Sequence, residues 1–343
     1  MKIFMYSDLH ISRTSSILPV NIEGQYTYRQ NMIINTGKYM STIIENEKPD
    51  IIINLGDTFD QHTVTSYDIH TASMFFKCFE KFKDIKHYVL VGNHEMINQN
   101  YNAIALLNNI SNIEVIDECM TIGELAFLPY CDYKEILELP EGKYLFSHQD
   151  IQGSVIRGDF KLPVGIETEN LKKYKFVFNG HIHKPSINNN IINIGSITTH
   201  SFSDDEDFIP QCYIFDTETS DLKTFKSNLC PLFKKVNINS INDLETYINN
   251  LNPLFKYILH IICPFEIRDI IKNILEEYKD LIVNSRINIK IQKENKNDLE
   301  TPLQENVNLQ SNVDISQSFK EFLDITELKY PTELYLDVLQ GLE

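Results

Sequence analysis

Ile3-Phe4-Met5-Tyr6-Ser7-Asp8-Leu9-His10 opens the chain as an apolar run that stops at two side chains able to bind a metal. The design recurs at four later places. Ile51-Ile52-Ile53-Asn54-Leu55 precedes Gly56-Asp57, and Tyr88-Val89-Leu90-Val91 precedes Gly92-Asn93-His94-Glu95. Tyr144-Leu145-Phe146-Ser147 precedes His148, and Phe176-Val177-Phe178-Asn179 precedes Gly180-His181-Ile182-His183. Short β-branched or aromatic runs bounded by Gly and polar residues read as buried strands. Two helical patterns lie between them, one through Met32, Ile33, Thr36, Met40, Ile43 and Ile44. The other runs through Ile69, Ala72, Phe75, Phe76, Phe79 and Phe82. Strands alternating with helices predict an α/β layered fold, in which ligands gather beyond the carboxyl ends of the strands. All five polar motifs fall there.

Alternate side chains of a strand share a face, which pairs Asp8 with His10 and His181 with His183. With Asp57, Asn93 and His148 they make seven donors: four His, two Asp and one Asn. One divalent ion does not normally use seven, whereas two ions about 3.5–4 Å apart with a bridging carboxylate do. Mixed imidazole and carboxylate ligands suit Mn, Fe or Zn better than Mg or Ca. Any one of these histidines alone would read as a satisfied core or surface residue. Five motifs at five strand ends do not read that way. His62, His70, His87, His200 and His260 lack such company and are read as structural. So is the Phe75, Phe76, Phe79, Phe82 stripe, as core rather than a base-stacking platform.

Further along, Ile191–Ile194 and a hairpin around Asp216-Thr217-Glu218-Thr219 complete the first region. After Pro231 a compact β-α-β-α-β pattern extends through Ile291 without any donor constellation. Residues 294–314 are polar and lack periodicity, as in a linker. Phe319, Phe322, Leu323 and then Tyr335, Val338, Leu339, Leu342 form two short stripes, with Thr332 as an N-cap between them.

The formal charge of -17 argues against a broadly basic nucleic-acid binder. Ten acidic residues against two Lys between Asn297 and Glu343 carry nearly half of it. Six cysteines without a CxxC pair read as reduced thiols. With no secretory segment and no apolar run of about 18 residues, the expectation is a soluble cytoplasmic protein.

Asp8-Leu9-His10, Gly56-Asp57, Gly92-Asn93-His94-Glu95, His148 and Gly180-His181-Ile182-His183 match, in order, the calcineurin-like metallophosphoesterase pattern. The chain resembles that superfamily. The resemblance implies an α/β metallophosphoesterase sheet sandwich with flanking helices. One metal is then held by Asp8, His10, Asp57 and His183, the other by Asp57, Asn93, His148 and His181, with Asp57 bridging. For His94 it implies either proton donation to the leaving oxygen or a hold on the phosphate.

Within the superfamily, Ser7-Asp8-Leu9-His10-Ile11-Ser12 and Gly56-Asp57-Thr58-Phe59-Asp60 look like the SbcD-type DNA repair nucleases. In length the chain looks most like their bacteriophage members, recombination endonuclease subunits. This implies Mn-dependent 3′-5′ exonuclease activity on duplex DNA and endonuclease activity on single strands. Residues 1–230 are then the nuclease domain, 231–293 a small α/β capping domain and 294–314 a linker. Residues 315–343 form a helical hairpin gripping an SbcC-type coiled-coil ATPase, with a homodimer inside a heterotetramer. The chain departs from relatives at Asp60, which is His in some, at Glu95, often Asp, and at Ile197, often Pro.

The rival is a phosphatase or small-molecule phosphodiesterase on the same scaffold. Phosphoprotein phosphatases place Arg after the second and third motifs to clamp a dianionic phosphoryl group, and residues 57–62 and 93–98 contain none. A catalytically dead scaffold would have lost donors that this chain keeps.

Overall fold

The computed structural model describes residues 1–13, 22–23, 25–98, 101–110, 112–136, 138–158, 160–199, 201–202 and 208–290. The sequence-predicted linker, the terminal hairpin and His200 lie outside the described residues.

In chain order the main elements are β1 (Lys2–Tyr6), α1 (Tyr28–Glu47), β2 (Ile51–Asn54), α2 (Ser66–Lys77), β3 (Lys86–Leu90), β4 (Ile113–Ile116), β5 (Met120–Ile122) and β6 (Leu125–Leu128). They continue with β7 (Tyr144–Ser147), β8 (Phe176–Asn179), β9 (Ser186–Asn188), β10 (Ile191–Asn193), β11 (Gln211–Asp216) and β12 (Leu222–Lys226). Last come β13 (Leu232–Asn237), α3 (Ile241–Asn249), β14 (Tyr257–Cys263), α4 (Arg268–Glu277) and β15 (Ile282–Ile289).

The first fourteen strands and helices build two six-stranded sheets, ordered β12-β11-β1-β2-β3-β4 and β9-β10-β8-β7-β6-β5. Strands β1 to β4 run parallel in the first sheet, and β6, β7, β8 and β10 run parallel in the second. The sheets face each other across Ile3, Met5, Ile53 and Leu90 on one side and Phe127, Phe146, Phe178 and Ile192 on the other. The outer face of the first sheet, with Phe4, Ile52 and Val89, packs on Met40 and Ile44 of α1 and Phe75 of α2. The outer face of the second carries Ala126, Leu145 and Val177 against Ile166, Leu171 and Tyr174. Strands covered on both faces need unbroken apolar runs, which is why these show no polar alternation.

Capping boxes open α1, α2 and α3: Thr27 with Gln30, Thr65 with Asp68 and Ser240 with Asp243. The stripe predicted through Phe82 is α-helical only to Lys77. Phe79 and Phe82 reach the same core around a 3₁₀ turn at Glu80–Phe82. The stripe is core, as the sequence suggests. Strands β4, β5 and β6 were not foreseen.

Strands β13, β14 and β15 form a parallel three-stranded sheet. One face packs on α3 and α4 through Leu244, Ile248, Leu259, Ile261 and Ile271. The other face meets α1 through Phe233, Ile258, Cys230 and Met32, and Thr199 Oγ1 donates to Pro231 O at 2.7 Å. No helix among the described residues is long and apolar enough to cross a membrane.

Candidate metal centre

The donors do not sit on the strands. β1 ends at Tyr6 and β8 at Asn179, so Asp8, His10, His181 and His183 lie in the loops beyond. Strand alternation therefore does not pair them, contrary to the expectation. The backbone does so instead: Asp8, His10, Asp57 and His181 all have positive φ, at 54°, 47°, 51° and 67°. Non-glycine residues rarely adopt that region, and such conformations collect at functional sites where surrounding bonds over-determine them. Here Asp8 N donates to Gly56 O at 3.0 Å and His10 N to Asp57 O at 3.0 Å, tying the first motif to the second.

The loops bring the seven donors into two groups. In the first, ligand atoms of Asp8, His10 and His183 lie within 4.8 Å of one another. His10 Nε2 is 3.0 Å from His183 Nε2, and Asp8 Oδ1 is 3.7 Å from His183 Nε2. In the second, Asp57, His148 and His181 meet the same condition. Asn93 Oδ1 lies 3.1 Å from His148 Nε2 and 2.9 Å from His181 Nδ1. Asp57 stands between the groups, its Oδ2 3.8 Å from His10 Nε2 and 3.3 Å from His148 Nε2. His94 Nε2 is 3.9 Å from the same oxygen.

The surroundings fix the ring nitrogens. His148 Nδ1 donates to Leu55 O at 2.6 Å, which turns Nε2 toward Asp57. His94 Nδ1 donates to Asp60 O at 2.6 Å, leaving Nε2 on the half-exposed side. His10 Nδ1 lies 3.5 Å from Asp60 Oδ1. Three glycines let the loops close: a Cβ at Gly56 would overlap the His148 ring, one at Gly92 would overlap Asp57, and one at Gly180 would overlap Ser7 and Leu55 O.

Three residues to which the sequence reading gave no role complete the site. Glu95 is fully buried and spans two motifs, accepting from Phe59 N at 2.8 Å and Gly92 N at 2.7 Å. Asp150 Oδ1 is 3.0 Å from His181 Nε2, the partner a metal-binding imidazole commonly has on its far nitrogen. Arg29, 1% exposed, donates through Nη2 to His10 O at 2.8 Å and through Nη1 to Thr199 O at 2.9 Å. His62, His70 and His260 join none of the donor clusters found among the described residues, and His87 lies in the core with its Nε2 3.1 Å from the Tyr6 hydroxyl.

The electrostatics favour added positive charge. Asp8 is fully buried, and neither carboxylate oxygen has a hydrogen-bond partner, a costly state without a cation. Burial lowers the affinity of His148 for a proton, yet Asp57 and Asp8 outweigh it and raise the pKa to about 9. Burial pushes Asp57 up, but His148, His10 and His94 hold it well below the usual carboxylate range. Glu95 goes the other way, to about 8, through burial and then the charge of Asp57. His10 is lowered, chiefly by burial. A donor set of imidazoles, carboxylates and an amide, with an orphaned buried carboxylate among them, fits divalent transition-metal ions.

An α/β double-sheet sandwich with such donors at its strand ends is the frame of a metal-dependent phosphoester hydrolase. The pattern of the calcineurin-like phosphoesterase family matches residues 1–185, more than half of the 343 residues, and the chain belongs to that family. Among solved structures it is similar to one described as a novel archaeal phosphodiesterase, at 15% identity and a TM-score of 0.34, covering 66% of this chain and 100% of that one. It is also similar to the nuclease MPE of Pseudomonas putida, at 14% identity and a TM-score of 0.32, covering 62% and 83%. No curated protein matches the chain.

Proposed function

We propose that the chain is a DNA nuclease subunit working with two divalent ions, Mn²⁺ by preference. The observation that carries the two-ion reading is Asp57, whose Oδ2 lies within 4 Å of His10, His94 and His148 and between the two donor groups. Asp8, His10, Asp57 and His183 hold one ion, and Asp57, Asn93, His148 and His181 the other. Bound there, the ions supply charge neutralisation at the phosphate and a water of lowered pKa.

The protein's own groups do the rest. Glu95 and Arg29 hold the loops in place, and the His94 ring, anchored at Nδ1 on Asp60 O, would as the imidazolium give its Nε2 proton to a leaving oxygen and return to the neutral ring. DNA as substrate rests on the resemblance of the first two motifs to the SbcD-type nucleases, and on the lack of Arg at 57–62 and 93–98. The same resemblance supports exonuclease action on duplex ends, endonuclease action on single strands, an SbcC-type ATPase partner at 315–343 and a homodimeric assembly. Six free cysteines support a reducing, cytoplasmic setting.

The test is cleavage of end-labelled linear duplex DNA with Mn²⁺ by wild type and His94→Ala, beside a generic phosphomonoester. Removing a general acid costs about 10²–10⁴-fold in rate, with metal binding expected to stay unchanged. Hydrolysis of the phosphomonoester with DNA left intact, even with the cognate ATPase added, would move the chain to the phosphatases.

A further inference from the structure

Asn179 ends β8 just before Gly180-His181, and it stands in register with Ser147, the last residue of β7 before His148. Its side chain is fully buried. Oδ1 accepts from Ser147 Oγ at 2.7 Å and from Gln149 N at 3.0 Å. Nδ2 donates to Gln149 O at 3.0 Å and to Asn193 Oδ1 at 3.1 Å. Two accepted and two donated bonds are all that an amide can make. Because its partners on Gln149 are a backbone N–H and a backbone C=O, only one orientation of the amide serves both.

The ladder between β7 and β8 stops at Ser147 and Asn179, and both chains turn into loops that carry donors. There the Asn179 side chain stands in for the next strand residue and grips both polar groups of the Gln149 backbone. Gln149 lies between His148, whose Nε2 is 3.3 Å from Asp57 Oδ2, and Asp150, whose Oδ1 is 3.0 Å from His181 Nε2. Its own Nε2 donates to Pro129 O at 2.5 Å. A residue held by its backbone and by its side chain leaves its neighbours little freedom of direction. One buried amide thus spans the His148 loop and the His181 loop. Asn193 joins from β10, and its Nδ2 donates to Ser154 Oγ at 3.3 Å and Ser186 Oγ at 3.0 Å.

We infer that Asn179 is a positioning residue of the metal centre. Its amide brackets residues 148–150 to the His181 loop, and so sets the spacing of His148, Asp150 and His181 on which the second ion depends, the one assigned to Asp57, Asn93, His148 and His181. The inference rests on the two-ion reading and goes beyond it, because Asn179 is not itself a donor to either ion. Without the amide, Gln149 N and O lose their partners in a buried setting, where unpaired polar groups are costly. The segment then shifts to find other partners and carries His148 and Asp150 with it. The first ion is affected less, since Asp8 and His10 are tied to Gly56 O, Asp57 O and Arg29.

The test is calorimetric titration of the metal-free full chain with Mn²⁺, in which His183→Ala and His181→Ala identify the event belonging to each ion. Asn179→Ala is expected to weaken the second ion's event by about 10–100-fold, as loss of an outer partner does, and to leave the first ion's event near that of wild type. Asn193→Ala also removes a buried amide and lowers stability in urea unfolding, but it leaves Gln149 bonded and both events unchanged. A merely structural Asn179 would behave as Asn193 does, with lower stability and both events intact in the folded chain. Should the alanine variant not fold, Asn179→Asp is read in its place. It has nearly the same volume and keeps the bonds from Ser147 and Gln149 N, but it sets an oxygen against Gln149 O and is expected to weaken the same event. Equal weakening of both events, equal loss in the Asn179 and Asn193 variants, or an unchanged second event overturns the inference. Wild type that lacks either event sinks the two-ion reading, whereas wild type with both events and an unchanged Asn179→Ala sinks only the bracket.

Discussion

The two donor groups are equally buried and differently held. Around Asn93, His148 and His181 the protein supplies the bonds: Leu55 O accepts a hydrogen bond from His148 Nδ1, Asp150 faces His181 and Asn93 touches both rings. Around Asp8 it does not, since both carboxylate oxygens are sealed from water and unbonded. Burial is therefore not what separates a site from a core. What separates them is whether the polar atoms inside are satisfied, and the Asp8 carboxylate is left for an ion to satisfy, whereas His148 and His181 are braced beforehand.

Three measurements bear on that contrast. The largest effect is expected from Asp150→Ala, which removes the brace on His181. Loss of an outer partner of a metal-binding imidazole costs about 10–100-fold in metal affinity, read as a weakened second binding event in calorimetric titration with Mn²⁺. Two unchanged events would mean that the wiring is incidental.

A buried imidazole away from the centre gives the next test. Burial depresses His87 to about 3. A histidine depressed on folding costs nothing above its unfolded pKa of roughly 6.5, and stability is lost as the pH falls from there toward the folded value. At pH 5 the loss is about 2 kcal/mol, at about 1.36 kcal/mol per unit. His87→Gln, which keeps a partner for the Tyr6 hydroxyl, should flatten that part of the stability curve against wild type in urea unfolding. Parallel curves would show that His87 finds a proton partner in the acid state.

The smallest and most pointed effect belongs to Asp8. In chelator, Asp8→Asn should unfold at higher denaturant than wild type, by about 1 kcal/mol, because a neutral amide is cheaper to bury than an unpartnered carboxylate. Equal or lower stability would show that Asp8 is satisfied without a cation.

Much of this was legible in the residues. Apolar runs ending in Asp, His and Asn marked the strand ends, because strands covered on both faces cannot hide their composition. Their convergence followed from the α/β rule for where ligands gather. The left-handed turns at Asp8, His10, Asp57 and His181 were not legible, since nothing in a side chain announces a backbone held there by distant hydrogen bonds. Glu95 read as a mild exchange for Asp, and its span to Phe59 depends on two loops that sequence alone does not bring together. Arg29, in the first turn of α1, drew no reading at all, because its partners are carbonyls of residues 10 and 199 that the sequence does not bring beside it. Asp150 carried a weak signal, a carboxylate two residues after a donor histidine. Strands β4 to β6 run into none of the five donor motifs that marked the other strands.

Gly56, Gly92 and Gly180 bring no charge and no side-chain donor to the site. What they contribute is vacancy, a gap one methyl group wide that another loop fills with His148, Asp57 or Ser7. A substitution there leaves every reactive group on the inventory and changes only the spacing between them. Such a chain would still carry all seven donors in its sequence and yet be unable to assemble them, so in this protein a register of reactive residues is an incomplete description of the site.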